Sequence, residues 1–459
     1  MRSFKHLWFA NLAVLIGAAI LSLLSVGIAA AEMRTINATG EYRMGDNDTR
    51  ADAKRLALLD AKRVALEQAG TYIESVTQVK NFELSNEEIH AYTVGLVEVG
   101  EQATRDIMEG GTHIVRVDVT VKIDTYDVVR QIDTLRKDKI LRAELQKIRA
   151  EKDYLQQQVN AQTQELAVPK SRADVESSIK QRQQVMIRLE VEDLLARAWV
   201  ALNVWGSREG EAVALNLAKE ALARDPDCPE AHRILGQVFK RQRKYEAAIQ
   251  SYKTALRSQP NSADAHLNLG RAFFEVGKLA DAMNEYEAVL RLQPPRGVAQ
   301  NIDLGVAHNG IGEVLAKRGD ITGAREEFRT SLRFWPDNAD PYSNLGEALF
   351  KLGDLTGAIA ESRVAVRLHP SASIYRFRLA LLLSKAGDHD GALEESRVAA
   401  RLNPEDPVVH YGLGYWLYEA GKREEAAREF RQYIRLAPDT PDHREFIQKA
   451  RIWLRNIEK

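Results

Sequence analysis

The second half of the chain repeats one pattern of apolar, small and polar positions six times. Each copy places an aliphatic residue before a small residue, continues to an alanine, and ends on a proline. The closing prolines are Pro260, Pro294, Pro336, Pro370, Pro404 and Pro438, and four of their five intervals are 34 residues, the other being 42. Apolar residues at this spacing predict two amphipathic helices per copy. Proline ends the second helix because it has no N–H to continue the ladder.

Small residues recur where the paired helices must approach closely, as in Leu235-Gly236 with Ala248 and again in Leu413-Gly414 with Ala426. This spacing resembles the tetratricopeptide repeat (TPR) family, whose unit is a helix-turn-helix. The resemblance implies a mainly α fold, an α-solenoid of six repeats over 229–440. Such units bury their apolar faces only by stacking, and the stack forms a concave surface that holds another chain.

Two flanking segments fit the ends of such an array. Residues 189–228 read as a divergent leading repeat, and residues 441–459 predict an amphipathic helix that caps the last repeat. The 42-residue interval holds eight extra residues around Pro295-Arg296-Gly297. They predict either a longer loop or an extended helix.

Residues 35–127 differ in kind and predict a small α+β domain. Thr49 begins a helix in which an alanine recurs every four residues from Ala53 to Ala69, a ridge suited to close packing on a sheet. Gly70 is expected to end this helix, and strands are expected over 36–43, 72–79 and 94–107. Gly110-Gly111 predicts a hairpin turn, and the strict alternation of Val115–Ile123 predicts a half-buried strand.

This segment resembles the N-terminal domain of the flagellar assembly protein T family, which also occurs in small bacterial surface lipoproteins. The resemblance rests on the alanine helix, Tyr72-Ile73-Glu74-Ser75, Asn81-Phe82 and the strand Val115–Ile123. It implies an exported module that helps to assemble or anchor envelope structures. The lipidation cysteine of the lipoprotein members is absent here.

Residues 128–188 are charged and predict a helical spacer. Leu141, Leu145, Ile148, Leu155 and Val159 keep a 3-4 spacing, which Lys152 interrupts. About three heptads is the lower limit for a coiled coil, so the segment predicts either a homodimer stalk or a solvated spacer.

The N-terminus has the pattern of an export signal over residues 1–31. Arg2 and Lys5 precede an apolar run from Leu7 to Ala31 that ends in three alanines. This arrangement predicts cleavage and an exported, periplasmic protein. The run is also long enough for an uncleaved anchor in the inner membrane.

The composition and the motifs of the chain argue against several kinds of ligand and reaction. The chain has 64 basic and 65 acidic residues and no basic block, so nucleic acid is not expected as a partner. Cys228 is the single cysteine, which excludes an internal disulfide. No phosphate-binding loop, zinc-protease or nucleophile-elbow motif occurs, and no cofactor or metal is expected. Four histidines share one repeat position (His232, His266, His308 and His410); ring packing between helices is favoured over a metal row.

Candidate partner-binding residues lie on the first helix of each repeat, which the TPR resemblance places on the concave side. The early copies offer the cations Arg233, Lys240, Arg241 and Arg271. The last two copies offer Phe377, Leu381, Tyr411, Tyr415 and Tyr418. We expect this aromatic end to hold an apolar segment of a protein or peptide partner. The alternative is that these rings pack against the closing helix.

These patterns together predict a non-catalytic scaffold of the bacterial cell envelope, with possible association with the membrane. A flagellar or secretion-system assembly factor is the alternative within the same class. A glycan-active envelope enzyme is the alternative from another class, and no pair of acidic residues supports it.

Overall fold

The computed structural model describes residues 33–45, 48–79, 98–124, 132, 139–166, 172–205, 207–292, 298–438 and 440–457. The predicted signal segment (1–31) and the residues around Pro295-Arg296-Gly297 lie outside these ranges. The chain divides into two compact units, an N-terminal unit (1–242) and a C-terminal unit (243–459).

The described part of the N-terminal unit contains a small sheet and five helices. Its elements are β1 (Met33–Arg43), α1 (Arg50–Val79), β2 (Glu98–Glu109), β3 (Thr112–Asp124), α2 (Lys139–Leu166), α3 (Arg172–Val200), a π-helical turn (Ala201–Trp205), α4 (Arg208–Arg224) and α5 (Pro229–Arg241).

The sheet is antiparallel in the order β1-β3-β2, and α1 covers one of its faces. The alternating residues of β3 from Val115 to Ile123 are buried, as predicted, together with the alanine ridge of α1. Gly40 shows how closely the helix lies. A Cβ at this position would stand 2.1 Å from the backbone nitrogen of Ala61, so only glycine fits there. Gly110 and Gly111 form the predicted β2–β3 turn with positive φ.

The start of α1 was predicted correctly, but its end was not. The backbone N–H of Asp52 donates to Thr49 Oγ1 at 3.1 Å, which caps the helix. The helix then continues through Gly70 to Val79, so the strand predicted over 72–79 is wrong. Ile73 extends the four-residue ridge and is 2% exposed. Burial of that extra turn therefore outweighs the local preference of glycine and β-branched residues for a break.

The apolar positions of the predicted spacer are buried within the chain itself. Leu145 joins the core beneath the sheet, and Leu155 and Val159 pack with Met186 and Leu189 of α3. A dimer stalk would have to present these same side chains to a second copy. The structure gives them an intramolecular role instead, in a hairpin of α2 and α3.

Lys152, which interrupts the apolar pattern, also has a role inside this hairpin. Its Nζ lies 2.6 Å from Asp193 Oδ1, and Lys62 Nζ of α1 lies 3.5 Å from Asp193 Oδ2. Burial alone would raise the pKa of Asp193, but the two lysines overcome this effect and hold that pKa well below its usual range. One carboxylate thus joins three helices.

Residues of the predicted leading repeat (189–228) pack with α5, which is the first helix of the first predicted copy and the last helix of the N-terminal unit. Helices α3, α4 and α5 share a core that includes Leu195, Ala218 and Ile234. Ser207 caps α4, because its side chain accepts a hydrogen bond from the N–H of Gly210.

The C-terminal unit is an array of helical hairpins. Its elements are α6 (Tyr245–Ser258), α7 (Ala263–Glu275), α8 (Leu279–Arg291), α9 (Val298–Arg318), α10 (Ile321–Phe334), α11 (Ala339–Lys351), α12 (Leu355–Leu368), α13 (Ser373–Lys385), α14 (His389–Leu402), α15 (Pro407–Glu419), α16 (Arg423–Leu436) and α17 (Pro441–Ile457). Odd numbers from α7 to α15 are first helices of a repeat, and even numbers from α6 to α16 are second helices.

A glycine of the first helix seats a ring of the second helix in several hairpins. A Cβ at Gly270 would lie 2.8 Å from Tyr286, and one at Gly312 would lie 2.5 Å from Phe328. Both rings are 2% exposed. The turns between the helices have positive φ at Gly277, Gly319, Gly353, Gly387 and Gly421. The first copy departs as its sequence does, with Arg243 at φ 58°.

The 42-residue interval produces a longer helix. Helix α9 has 21 residues where α7 and α11 have 13 each, a difference of eight. The extended-helix interpretation therefore accounts for the insertion. At about 1.5 Å per residue, it lengthens the first helix of that repeat by about 12 Å.

The shared histidine position links the two helices of a repeat. Nδ1 of His266 lies 2.6 Å from Glu285 Oε2, and its Nε2 lies 2.9 Å from the carbonyl oxygen of Pro260. His410 is held in the same way by Glu429 and Pro404. With an acceptor at each nitrogen, the doubly protonated ring is favoured, and the hydrogen bonds to Glu285 and Glu429 raise the pKa values of His266 and His410.

One repeat has a permanent cation at this position. Arg376 donates to the carbonyl oxygen of Pro370 at 2.9 Å and to Glu395 at 2.7 Å. The arginine therefore reproduces both bonds of the histidine ring without depending on a proton equilibrium.

Asp193→Asn should destabilise the α2–α3 hairpin by about 2–3 kcal/mol, because it leaves Lys152 and Lys62 facing an uncharged amide in a partly buried site. Amide hydrogen exchange of α2 and α3 measures this local loss. Asp153→Asn is the matched control, since the ion pair that Asp153 forms with Arg149, at 3.5 Å, is exposed. Equal exchange rates in the two variants would show that the Asp193 ion pairs do not hold the hairpin.

Stability of the repeat array should fall as the pH rises above about 6.5, the unperturbed pKa of histidine. The folded-state pKa of His266 is raised, so its contribution is complete below the unfolded pKa and is lost as the pH passes through the folded one. We expect about 1 kcal/mol per histidine. His266→Arg should remove its share of this slope, as measured by melting temperature between about pH 5.5 and 9.

His389→Arg is the control for that experiment, because His389 is exposed and lies outside these pairs. A slope unchanged in His266→Arg, or reduced equally by both substitutions, would contradict the assignment.

Candidate functional site

The candidate site is the surface formed by one turn of each first helix in the C-terminal unit, here called the first-helix face. It consists of residue pairs four apart: Arg271 and Glu275, Glu313 and Lys317, Glu347 and Lys351, Leu381 and Lys385, Tyr415 and Glu419. Residues i and i+4 share one side of a helix. Nine of these ten side chains are exposed, and Glu313 is partly buried.

Polar side chains connect neighbouring first helices along this face. Arg271 Nη1 lies 3.0 Å from Glu313 Oε2, which links α7 to α9. Asn344 of α11 donates to Glu313 at 3.2 Å, and Arg378 of α13 donates to Asn344 at 3.1 Å. Tyr375 adds a second link to α11 through Asp340 at 2.6 Å. Four consecutive first helices are thus joined by side-chain hydrogen bonds.

Glu313 is the centre of this network. Burial raises its pKa, and the charge of Arg271 and the amides of Asn344 and Asn309 oppose that effect, leaving the pKa above its usual value. Every partner donates to the carboxylate, so the arrangement positions helices. The carboxylate of Asp340 also acts on Glu313, and its negative charge raises that pKa further.

Beyond Arg378 the first residue of each pair on the face is apolar and exposed. Leu381 is 44% exposed and Tyr415 is 38% exposed, at the same position of consecutive repeats. Ile374 and Val408 share another repeat position and are each 48% exposed. This group is called the apolar strip. Its four side chains lie on two neighbouring first helices, α13 and α15.

The predicted aromatic residues divide into two groups. Phe377 is buried against Trp416, with ring centres 5.9 Å apart. Tyr411 packs edge-on to Phe446 of α17 at 5.1 Å, and Tyr418 lies 4.5 Å from Trp453. The alternative interpretation, packing against the closing helix, thus describes Tyr411 and Tyr418. Leu381 and Tyr415 keep exposed surface, although Tyr415 also approaches Trp453 at 6.2 Å.

The predicted cations are divided between the two units. Arg271 belongs to the polar network of the first-helix face. Arg233, Lys240 and Arg241 lie on α5 in the N-terminal unit. Arg241 donates to the carbonyl oxygen of Leu202 and, at 3.2 Å, to Asn203. It therefore satisfies one backbone carbonyl and one side-chain oxygen of the π-helical turn.

Metal and thiol chemistry have no support in the described ranges. No group of three or more histidine, cysteine and acidic side chains there could hold a metal ion. Three of the four aligned histidines bond a glutamate of their own repeat. Cys228 is buried, and burial raises the pKa of its thiol to about 12, which keeps it protonated and unreactive.

A cavity of about 390 Å³ lies between α12, α13 and α14. Its floor includes Val366, Leu379 and Leu383, and Arg363 and Glu394 stand at its rim. Arg367, Asp388 and Glu395 add further charge to its lining.

The sequence patterns did not identify Glu313, Asn344 and Arg378 as a network. Position alone would have been a usable signal, because Arg271 and Glu313 occupy the same place in successive repeats and are oppositely charged. The hydrogen bonds of Asn344 and Arg378 depend on the angle between neighbouring repeats, which no local pattern records.

Comparison with known proteins agrees with the hairpin array. A family model described as tetratricopeptide repeat matches residues 212–252, 235–296 and 344–407. A model described as TPR repeat matches 312–353, and another tetratricopeptide repeat model matches 383–450. No curated protein is significantly similar to the chain in sequence.

Similar solved structures include a tetratricopeptide repeat protein from Parabacteroides merdae, with 16% identity over 57% of this chain and 99% of that one, at a TM-score of 0.43. PilF of Pseudomonas aeruginosa is 20% identical over 49% and 98% of the two chains, at a TM-score of 0.39. YrrB, a TPR protein with an unusual peptide-binding site, is 22% identical over 44% and 99%, at 0.32. The family models and the hairpins together show that this chain carries tetratricopeptide repeats across residues 212–296 and 312–450.

Proposed function

We propose that this protein is a non-catalytic scaffold that holds a segment of a partner protein on the first-helix face of its repeats. The observation that carries the proposal is the apolar strip, Ile374, Leu381, Val408 and Tyr415. Tetratricopeptide repeats are consistent with a protein-interaction scaffold, and the strip offers a surface on which a partner can lie.

Exposed apolar residues are ordinary when scattered singly, but here they are grouped. They occupy two repeat positions in each of two consecutive first helices. Covering them with a partner would remove apolar surface from water, at roughly 25 cal/mol per Å². The neighbouring polar network fixes the spacing of the helices beforehand, so less order has to be imposed on binding.

The proposed location is the bacterial cell envelope, with the mature chain exported to the periplasm. The charged and apolar pattern of residues 1–31 and the resemblance of residues 35–127 to flagellar and surface-lipoprotein modules support it. No helix in the described part of the chain is long and apolar enough to span a bilayer. An assembly role in a flagellar or secretion system fits the same features.

A photo-crosslinking residue at Leu381 should attach a partner covalently in cells that express the protein, because Leu381 lies in the strip. The same residue at Leu402, which is 40% exposed on a second helix, is the matched control. Mass spectrometry identifies the adduct. Adding Ile374→Ser and Val408→Ser should reduce its yield about tenfold, since each loses most of an exposed aliphatic contact.

Tyr411→Ala separates binding from stability in that experiment. Tyr411 packs between Tyr433 and Phe446, so its truncation should lower the melting temperature. Ile374→Ser and Val408→Ser should not. Equal crosslinking at 381 and 402, or a yield insensitive to the serine substitutions, would refute the role of the strip.

Residues 1–31 fused to periplasm-dependent alkaline phosphatase should produce active enzyme, because the pattern directs export. The mature protein should begin at Glu32 by N-terminal sequencing. A chain that retains Met1 and sediments with inner membranes would favour the anchored alternative, and an inactive fusion would exclude export by this segment.

A further inference from the structure

Three lysines occupy one position on three consecutive first helices. Lys317, Lys351 and Lys385 lie in the last turn of α9, α11 and α13, 34 residues apart, and all three are exposed. Each is one turn beyond a member of the first-helix face. Together they form a row, here called the lysine row, along one border of that face.

A lysine in the last turn of a helix has a local explanation, because its charge opposes the partial negative charge of the helix end. That explanation accounts for each lysine separately but not for their common position in three repeats. The alignment of three in register comes from the repeat. Along the same position the charge is negative on either side, at Glu275 of α7 and Glu419 of α15. The positive charge is therefore confined to the middle of the array.

The charges of the row are mostly unneutralised. Lys351 bonds Glu347 at 2.7 Å. Lys317 and Lys385 form no ion pair with any described residue. Glu313, one turn before Lys317, is occupied by Arg271, and Leu381, one turn before Lys385, is apolar. Two ammonium groups and part of a third thus remain available to carboxylates from another molecule.

The spacing of the row restricts the partner. Consecutive first helices are joined by the side-chain bonds of the polar network. Helices packed on one another lie about 8–10 Å apart. In a polyproline II segment, every third residue points in the same direction after about 9 Å. An acidic side chain at every third position of such a segment would therefore meet each lysine in turn. A segment in this conformation also keeps its backbone polar groups in water and needs no strand partner.

Apolar surface adjoins the row on the same helices. Phe350 precedes Lys351 and is 38% exposed, and Leu381 precedes Lys385 by one turn and is 44% exposed. A bound segment whose carboxylates reach the lysines would bring its other side chains over these two residues. We propose that the first-helix face recognises an extended acidic segment, with a carboxylate at about every third residue and apolar residues between them.

This inference rests on the proposed function and names the chemistry of its partner. The test uses the full chain and two fluorescein-labelled nonapeptides, one with aspartate at positions 1, 4 and 7 and one with lysine there. Leucine and serine fill the other positions of both. Fluorescence anisotropy should show binding of the aspartate peptide at least about tenfold tighter than that of the lysine peptide, because three charge pairs change sign.

The variant Lys317→Glu with Lys351→Glu and Lys385→Glu should reverse that preference. All three positions are exposed, so the fold should survive, which its melting temperature checks. Arg363→Glu with Arg367→Glu and Arg401→Glu, exposed on the second helices α12 and α14, changes the net charge equally and should keep the wild-type preference. Raising the salt concentration from about 0.05 to 0.5 M should weaken the binding of the aspartate peptide to the wild-type protein, because salt screens the charges.

Equal binding of the two peptides, or an equal effect of both triple variants, would overturn the lysine row as a recognition element. Failure of this inference and of the proposed function can be told apart. A partner that crosslinks at Leu381 but binds equally well to the lysine variant leaves the scaffold intact and refutes only the acidic segment. Loss of crosslinking at Leu381 together with no peptide preference refutes both.

Discussion

The repeat array depends on how closely two helices of one hairpin can approach. Tyr286 and Phe328 lie where a side chain on the facing glycine would have to be, 2.5–2.8 Å from its Cβ position. The hairpins of Gly270, Gly312 and Gly414 each bury one ring of the second helix in this way. A short hairpin has little other apolar surface of its own. The packing of the ring on the glycine and the contact with the next repeat therefore supply its stability. This constraint is visible in the sequence as the regular 34-residue interval.

A second set of contacts joins neighbouring repeats to each other. Arg271, Glu313, Asn344 and Arg378 link four first helices on the exposed side, whereas the rings pack on the inside. The same helices carry the apolar strip and the lysine row. The geometry of the proposed binding surface is thus set by side chains that lie beside it. In the last repeat α17 takes over this role, because Phe446 and Trp453 cover Tyr411 and Tyr418.

Much of this organisation is visible in the sequence because it is periodic. The prolines, the turn glycines and the alternation of Val115–Ile123 each reflect a local backbone requirement. Predictions were wrong where a tertiary contact outweighed the local signal. Helix α1 passes Gly70 because Ile73 continues the ridge on the sheet, and α2 buries Leu155 and Val159 in its own chain. The division of the aromatic residues required the position of α17, which no repeat pattern supplies.

The substitution of Arg376 for histidine has a consequence for how the array comes apart. In the hairpins held by His266 and His410, the histidine carries the proton that it donates to its glutamate. That proton is lost in alkaline solution. The hairpin of α13 and α14 keeps its clasp there, because a guanidinium does not deprotonate in water at such pH. Alkali should therefore loosen the hairpins held by His266 and His410 while that of α13 and α14 persists, so that the array would come apart unevenly along its length.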